Sequence, residues 1–131
     1  MERKKAKQIN RAFLSGDGYW QVNKKVVKEL GANTAIAIAD LLNVEKLFEE
    51  NGKLPKDEWF FQSIEQVEKY TGLTRYEQET AYRKLRTRKF IEQINKGVPR
   101  RRWFRIDHEQ MFDWFANLES EKETENDRIE G

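Results

Sequence analysis

Two helix starts lie close together in the segment "SIEQVEKYTGLTRYEQ", residues 63–78. Ser63 is followed three residues later by Gln66, and Thr74 is followed at the same spacing by Glu77. In this capping-box pattern the hydroxyl accepts a backbone N–H from the third helical residue, whose side chain reaches back to the first N–H. A glycine, which readily ends a helix, and a leucine, which can fill a turn, stand just before Thr74. The segment therefore predicts two short helices joined by a tight turn.

Short strand patterns lie on both sides of these helices. "WFFQS" precedes them, and "FIEQI" and "RWFRI" follow, joined by the turn "NKGVP". Because side chains alternate along a strand, Phe104 and Ile106 should lie on one face of the last strand, and Trp103 and Arg105 on the other. The order of elements predicts a mainly α protein with a small β-hairpin wing, which is a winged helix-turn-helix, over residues 60–106.

A longer helix is predicted ahead of this unit, over residues 35–50, with Asn33 or Thr34 as its N-cap. Its apolar residues occupy more than one face, so this helix should be central or face a second subunit. A shorter helix that ends at Gly31 precedes it, and a final amphipathic helix follows Asp107. The inward positions of the final helix are predicted to be Met111, Phe112, Phe115 and Leu118.

The chain of 131 residues has the length of about one domain. Residues 1–18 carry many lysines and no continuous apolar stripe, and are predicted to be a flexible basic arm. Residues 19–118 form the predicted winged-helix domain, beginning with a candidate strand at residues 19–22. Residues 119–131 are acidic and almost free of core residues, so we expect a disordered tail.

The charge is unevenly distributed along the chain, although the net charge is only +2. Residues 1–25 carry a net charge of +5, and residues 26–70 carry −4. Residues 71–106 hold eleven lysines or arginines against three acids, and residues 107–131 hold two against nine. Such separation indicates the kind of partner a protein binds, and the basic block is where a polyanion would lie.

Residue types exclude several kinds of site. The chain has no cysteine and a single histidine, His108, which rules out the usual zinc sites and the Ser-His and Cys-His nucleophile pairs. His108 follows an aspartate at a helix start, where we expect it to be exposed. The "GDG" segment lacks the further glycines and the lysine of a phosphate-binding loop. We predict no catalytic residue, no metal site, no cofactor and no enzymatic activity.

The predicted location is the cytoplasm. The basic N-terminal segment has no apolar run behind it, as a secretory signal would have. No stretch approaches the roughly 20 apolar residues of a membrane-spanning helix. The absence of cysteine agrees with a reducing compartment.

The segment "FFQSIEQVEKYTGLTRYEQETAYRKLRTRKFIEQINKGVPRRRWFRI" resembles the winged-helix domains of phage and plasmid replication proteins from Gram-positive bacteria. These include replisome organisers and the N-terminal domains of DnaD-like proteins. The preceding "NTAIAIADLLNVEKLF" is similar to the helix that leads into that domain. The resemblance extends over residues 19–118 and implies a role in DNA replication or regulation. Replication proteins of this kind continue into a second domain, whereas here an acidic segment follows.

The second helix of a helix-turn-helix enters the major groove, and its N-terminal residues meet base edges. Basic residues on the hairpin tip would contact the flanking phosphates, because neutralised phosphates release counterions. Gln78 falls on the side of the core and is expected to be structural, and Trp103 is expected to pack rather than stack on a base. The predicted DNA-binding residues are Thr74, Arg75, Tyr76, Glu79, Arg83, Arg86, Lys96, Arg100, Arg101 and Arg102.

Two functions remain open at this point. The first is a double-stranded DNA-binding protein of replication or regulation, with replication proteins as further partners and a homodimer as the assembly. The second is a protein-interaction module on a winged-helix scaffold, since fold alone does not determine function. No membrane partner is expected.

Overall fold

The computed structural model describes residues 2–14 and 21–120, together with Ile129. These residues contain six helices and three strands. In chain order they are α1 (Arg3–Leu14), α2 (Lys24–Leu30), α3 (Ala32–Glu50), β1 (Phe60–Phe61), α4 (Ile64–Thr71), α5 (Arg75–Thr87), β2 (Ile91–Lys96), β3 (Arg101–Ile106) and α6 (His108–Ser120). The predicted mainly helical chain with a small β-hairpin is confirmed. The short strand predicted at "WFFQS" is also confirmed, and it is β1.

Helices α4 and α5 begin as their sequences predict. The Ser63 hydroxyl accepts the Gln66 N–H at 3.0 Å, and the Thr74 hydroxyl accepts the Glu77 N–H at 3.2 Å. Both reciprocal bonds of the capping boxes are also present. Gly72 ends α4 with φ of 78°, a left-handed conformation that costs glycine little. The tight turn between the helices is thus set by local sequence.

The three strands form an antiparallel sheet in the order β1-β3-β2. Phe104 of β3 stands opposite Phe60 of β1 and Gln93 of β2, and Phe60 and Phe104 are fully buried. Trp103 stands opposite Phe61 and Ile94 on the other face. The predicted alternation along β3 is confirmed.

Helix α3 lies at the centre of the molecule. Its residues Ala37, Ile38, Leu41 and Leu42 are buried in the core shared with α5 and the sheet. The predicted N-cap was wrong, because Gly31 precedes the first turn and Thr34 lies buried within it. The broad apolar character of α3 is explained by its central position within one chain.

The prediction of a flexible basic arm was wrong for residues 3–14, which form α1 and pack against α3 and α6. Arg3 and Lys7 both form ion pairs with Glu58, and Arg3 also donates to the Ile106 carbonyl at 3.1 Å. Ala6 and Leu14 are the apolar residues that α1 buries. Its basic residues therefore fasten the helix to the domain.

The predictions at both ends of the domain fall partly outside the described residues. At the candidate strand, residues 21 and 22 have no regular structure, and residues 19 and 20 are not described. Helix α6 continues to Ser120, which is two residues into the predicted tail. Beyond it only Ile129 is described.

The prediction of an exposed His108 was also wrong, because this ring is fully buried. Its Nδ1 lies 2.8 Å from Asn10 Nδ2, and its Nε2 lies 2.9 Å from Glu45 Oε1. Arg11 donates to the same Glu45 oxygen at 3.1 Å. In this arrangement Nδ1 accepts the Asn10 amide, and the Nε2–H donates to the carboxylate. The cluster joins α1, α3 and α6 through buried polar contacts.

Removing the Glu45 carboxylate should destabilise the fold strongly, because its partners would remain buried without their anion. We expect Glu45→Ala to lower the free energy of unfolding by roughly 3–5 kcal/mol in urea titrations. The control is Glu50→Ala on the same helix, where the side chain is 57 % exposed and its Lys46 contact is 3.8 Å. That change should cost less than about 0.5 kcal/mol. Equal losses in the two variants would contradict the importance of this cluster.

Candidate nucleic-acid interface

The outer side of α5 presents most of the predicted base-reading residues. Arg75, Tyr76, Glu79 and Arg83 are all exposed, and Tyr76 is 76 % exposed. Arg75 Nε lies 3.4 Å from Glu79 Oε1, an i,i+4 pair that neutralises part of the charge. Thr74 is exposed as well, although its hydroxyl is engaged in the cap. The face is therefore polar and mixed in charge at its N-terminal end.

Towards its C-terminus α5 becomes uniformly basic and contacts the hairpin. Arg83, Lys84, Arg86 and Arg88 are exposed there. The Arg86 guanidinium donates to the side-chain oxygen of Gln93 in β2. This end of α5 can therefore present cations beside the hairpin.

The hairpin tip carries three exposed basic side chains, those of Lys96, Arg100 and Arg101. Lys96 Nζ lies 5.1 Å from the centre of the Trp103 ring, and Arg101 Cζ lies 4.4 Å from the centre of the Phe61 ring. A cation over an aromatic face is attracted by the ring quadrupole. These contacts hold two of the three cations along the outer face of the sheet.

Arg102 is placed differently from its two neighbours, and this corrects its grouping with the tip. It is half-buried, its Nε donates to the Gln62 carbonyl at 3.1 Å, and a terminal nitrogen donates to Gln78 Oε1 at 3.0 Å. Its guanidinium also lies over the rings of Tyr82 and Phe104. Burial lowers the pKa of Arg102, because it disfavours the charged form. The alternation of side chains along β3 turns Arg102 inward with Phe104.

Gln78 is structural, as the sequence predicted. Its side chain is fully buried, and its Nε2 donates to the carbonyls of Ile64 at 3.1 Å and Leu73 at 2.9 Å. Its oxygen accepts from Arg102. One side chain thus joins the α4–α5 turn to β3, and so places the hairpin relative to α5.

A groove of about 1170 Å³ lies beside the hairpin, between α3, α4 and the outer face of the sheet. Its lining includes Phe48, Trp59, Phe61, Tyr70 and Trp103. Sequence analysis missed this groove, because its walls come from four separate segments.

Asp40 lines the floor of this groove and is almost completely buried. Burial raises the pKa of its carboxyl to about 6, while a hydrogen bond to Gln62 and the charge of Arg102 oppose the shift. The signal for it was present in "AIAIADLL", where a single acid interrupts an apolar run. A lone carboxylate in such a run is a candidate buried group.

Residues 2–14 and 21–120 contain no group of three or more histidine, aspartate or glutamate side chains that could hold a metal ion. Among the helices of the same residues, none has the length and apolar character that crossing a bilayer requires.

Comparisons with protein-family models, with curated proteins and with solved structures found no match to this chain. The arguments for its function therefore depend on its own residues.

The buried carboxyl of Asp40 should make stability depend on pH. Because its folded-state pKa of about 6 lies above the ordinary 3.8, the folded protein holds this proton more tightly than the unfolded chain. Rising pH therefore destabilises the fold between these two values. Asp40→Asn removes that loss. The difference in free energy of unfolding, wild type minus Asp40→Asn, should therefore fall by roughly 2 kcal/mol between about pH 4.5 and about pH 7.5.

Urea titrations at the two pH values measure this difference, since all other groups titrate equally in both proteins. Asp113→Asn, which changes an exposed carboxyl of α6, is the matched control and should show no such trend. A constant difference between wild type and Asp40→Asn would contradict the raised pKa.

Proposed function

We propose that this chain is a winged helix-turn-helix protein that binds double-stranded DNA in the cytoplasm. The observation that carries the proposal is the attachment of a hairpin with a basic tip to the exposed, basic helix α5. The order of α3, β1, α4, α5, β2 and β3, with the sheet order β1-β3-β2, agrees with that of a winged helix. The resemblance of residues 60–106 to phage and plasmid replication proteins favours replication initiation, replisome organisation or regulation as its role.

In this proposal α5 enters the major groove. Arg75 pairs with guanine, and Glu79 can accept from the amino group of cytosine. Tyr76 is exposed beside them and contacts either a base or the sugar-phosphate backbone. Arg83 lies one turn further along the helix, where it extends the base-reading face, and Arg86 lies beyond it and contacts phosphates.

The hairpin tip contacts the flanking DNA. Lys96, Arg100 and Arg101 supply the positive charge, and phosphates neutralise it with release of counterions. Arg102 has a separate role, because its guanidinium donates hydrogen bonds to Gln62 and Gln78 within the fold. It positions the tip and contacts no phosphate.

A protein-interaction module on the same scaffold is the second candidate. The observation in its favour is the exposure of two large side chains beside the groove, Leu47 at 47 % and Tyr70 at 63 %. Retention on DNA-cellulose at moderate salt distinguishes the two, because only the first candidate depends on polyanion binding. Replication proteins and a second copy of this chain are the further partners we propose.

Charge reversal at the tip should weaken duplex binding without harming the fold. Arg100→Glu combined with Arg101→Glu should lower the affinity for all duplex sequences by roughly tenfold, and should reduce the slope of log affinity against log salt by about 2. Fluorescence anisotropy with a labelled duplex over a salt series measures both.

The control for the tip reversal is Lys4→Glu combined with Lys5→Glu, which alters exposed residues of α1 by the same charge. Helix α1 packs chiefly against α3 and α6, whereas the proposed interface is formed by α5 and the hairpin tip. If the two double variants weakened binding equally, the tip would have no specific role.

Arg75→Ala should act on specificity instead. Loss of one bidentate contact should reduce discrimination at a single base position by roughly 1–3 kcal/mol, while binding to unrelated duplexes changes little. Selection of bound sequences from a random pool, compared between wild type and Arg75→Ala, measures this. An unchanged consensus would exclude Arg75 from base recognition.

A further inference from the structure

Aromatic rings form part of the lining of the groove beside the hairpin, together with aliphatic and amide side chains. Phe61 and Trp103 pack edge to face with ring centres 5.1 Å apart, and Phe48 packs on Phe61 at 5.2 Å. Tyr70 of α4 lines the opposite side and is 63 % exposed. Aromatic faces at the surface are the platforms on which unpaired bases stack.

Basic side chains surround these rings. Arg101 and Lys96 lie over Phe61 and Trp103, and Lys69 Nζ lies 5.4 Å from the centre of the Tyr70 ring. Arg101, Lys96 and Lys69 are exposed, so each can move from a ring to a phosphate when a base takes the ring face. A ligand with flat rings would match the aromatic side chains of the groove, and an anionic backbone would match the basic side chains around them.

Two residues that line the groove, Asp40 and Trp103, each have a buried polar atom without a hydrogen-bond partner, although the Asp40 carboxyl also accepts a hydrogen bond from Gln62. Asp40 Oδ2 and Trp103 Nε1 are buried and have no hydrogen-bond partner among the described residues. Buried polar atoms are normally paired. Both atoms are covered in the free protein, so a ligand reaches them only when the side chains that line the groove shift. The edge of a nucleobase carries N–H donors beside nitrogen or oxygen acceptors.

We propose that this groove is a second nucleic-acid site, which takes unpaired bases of single-stranded DNA. The bases stack on the rings. The phosphates contact Lys69, together with Arg101 and Lys96 when no duplex lies on the hairpin tip. Asp40 accepts from a base N–H once the side chains that line the groove have shifted. The volume of about 1170 Å³ exceeds the range of small-molecule pockets, roughly 300–1,000 Å³, and has room for more than one base. This inference rests on the proposed function in one respect, which is that the ligand is a nucleic acid.

A polypeptide fits the same groove less well. An extended peptide would pair with an exposed strand edge, and β1 at the edge of the sheet is only two residues long. An amphipathic helix that lay in the groove through its apolar face would leave Arg101, Lys96 and Lys69 without anionic partners. We therefore treat a polypeptide as the outcome that would replace this proposal.

Two exposed tyrosines provide a matched test. Tyr70 lines the groove, whereas Tyr76 lies on α5 outside it, and neither belongs to the core. The probe is a labelled single strand of about eight nucleotides and the duplex of the same sequence. Tyr70→Ala should weaken single-strand binding roughly tenfold and leave duplex binding unchanged. Tyr76→Ala should leave single-strand binding unchanged.

A direct reading of occupancy comes from the indole N–H signals of Trp59 and Trp103 in NMR spectra, which should shift on addition of the single strand. Asp40→Asn should remove any preference for strands containing guanine, whose adjacent N–H groups suit a carboxylate. Tighter binding of the matching RNA, or saturation by free deoxynucleotides at equal concentration, would overturn the assignment to single-stranded DNA.

The results separate this inference from the proposed function. If Tyr70→Ala bound the single strand as wild type does, or the indole signals did not shift, the groove would not be a single-strand site, whereas duplex binding could still hold. If the duplex did not bind but the single strand shifted both signals, the groove site would hold and the proposed duplex interface would fail. If neither bound, both would fail.

Discussion

The half-buried guanidinium of Arg102 holds the sheet against the helical part of the domain. It donates to the Gln62 carbonyl next to β1 and to Gln78 in α5, and Gln78 donates onward to the carbonyls of Ile64 and Leu73. A buried cation is tolerated only where polar partners compensate for lost water, and here oxygens and the faces of two aromatic rings do so. The position of the hairpin tip relative to α5, and hence the proposed duplex interface, depends on this chain of hydrogen bonds.

Positive charge serves two purposes in this protein, and only the fold distinguishes them. Arg3 and Lys7 look like part of a basic arm in the sequence, yet both are paired with Glu58. Arg101 and Arg102 are adjacent in the chain, yet one lies on the outer face of the sheet and the other beneath it. Counting charges along the sequence therefore overestimates the basic surface. The cations that remain exposed include those of α5 and the hairpin tip, and also lysines of α1, α2, α4 and the segment between α3 and β1.

Features fixed by local sequence were predictable, and features fixed by distant partners were not. The caps at Ser63 and Thr74 and the inward position of Gln78 depend on neighbours within a few residues. The docking of α1 depends on Glu58 and His108, which lie about 50 and 100 residues away in the chain, and its apolar stripe is too thin to signal burial. The burial of His108 was missed for the same reason. The inward orientation of Arg102 could have been predicted, because the alternation that places Phe104 on the inner face places Arg102 there as well.

Strand β3 also connects the two proposed nucleic-acid sites. Its side chains alternate, so Arg101 and Trp103 face the groove while Arg102 and Phe104 face α5. A ligand that shifts Trp103 must act on Arg102 through one peptide unit, and Arg102 positions the tip. Coupling between two sites needs an element that both ligands bias, and any effect of one on the other is reciprocal in binding free energy. Arg102 fastens one face of β3, and the other face borders the aromatic groove. Strand β3 is therefore the element through which a ligand at one site can affect the other.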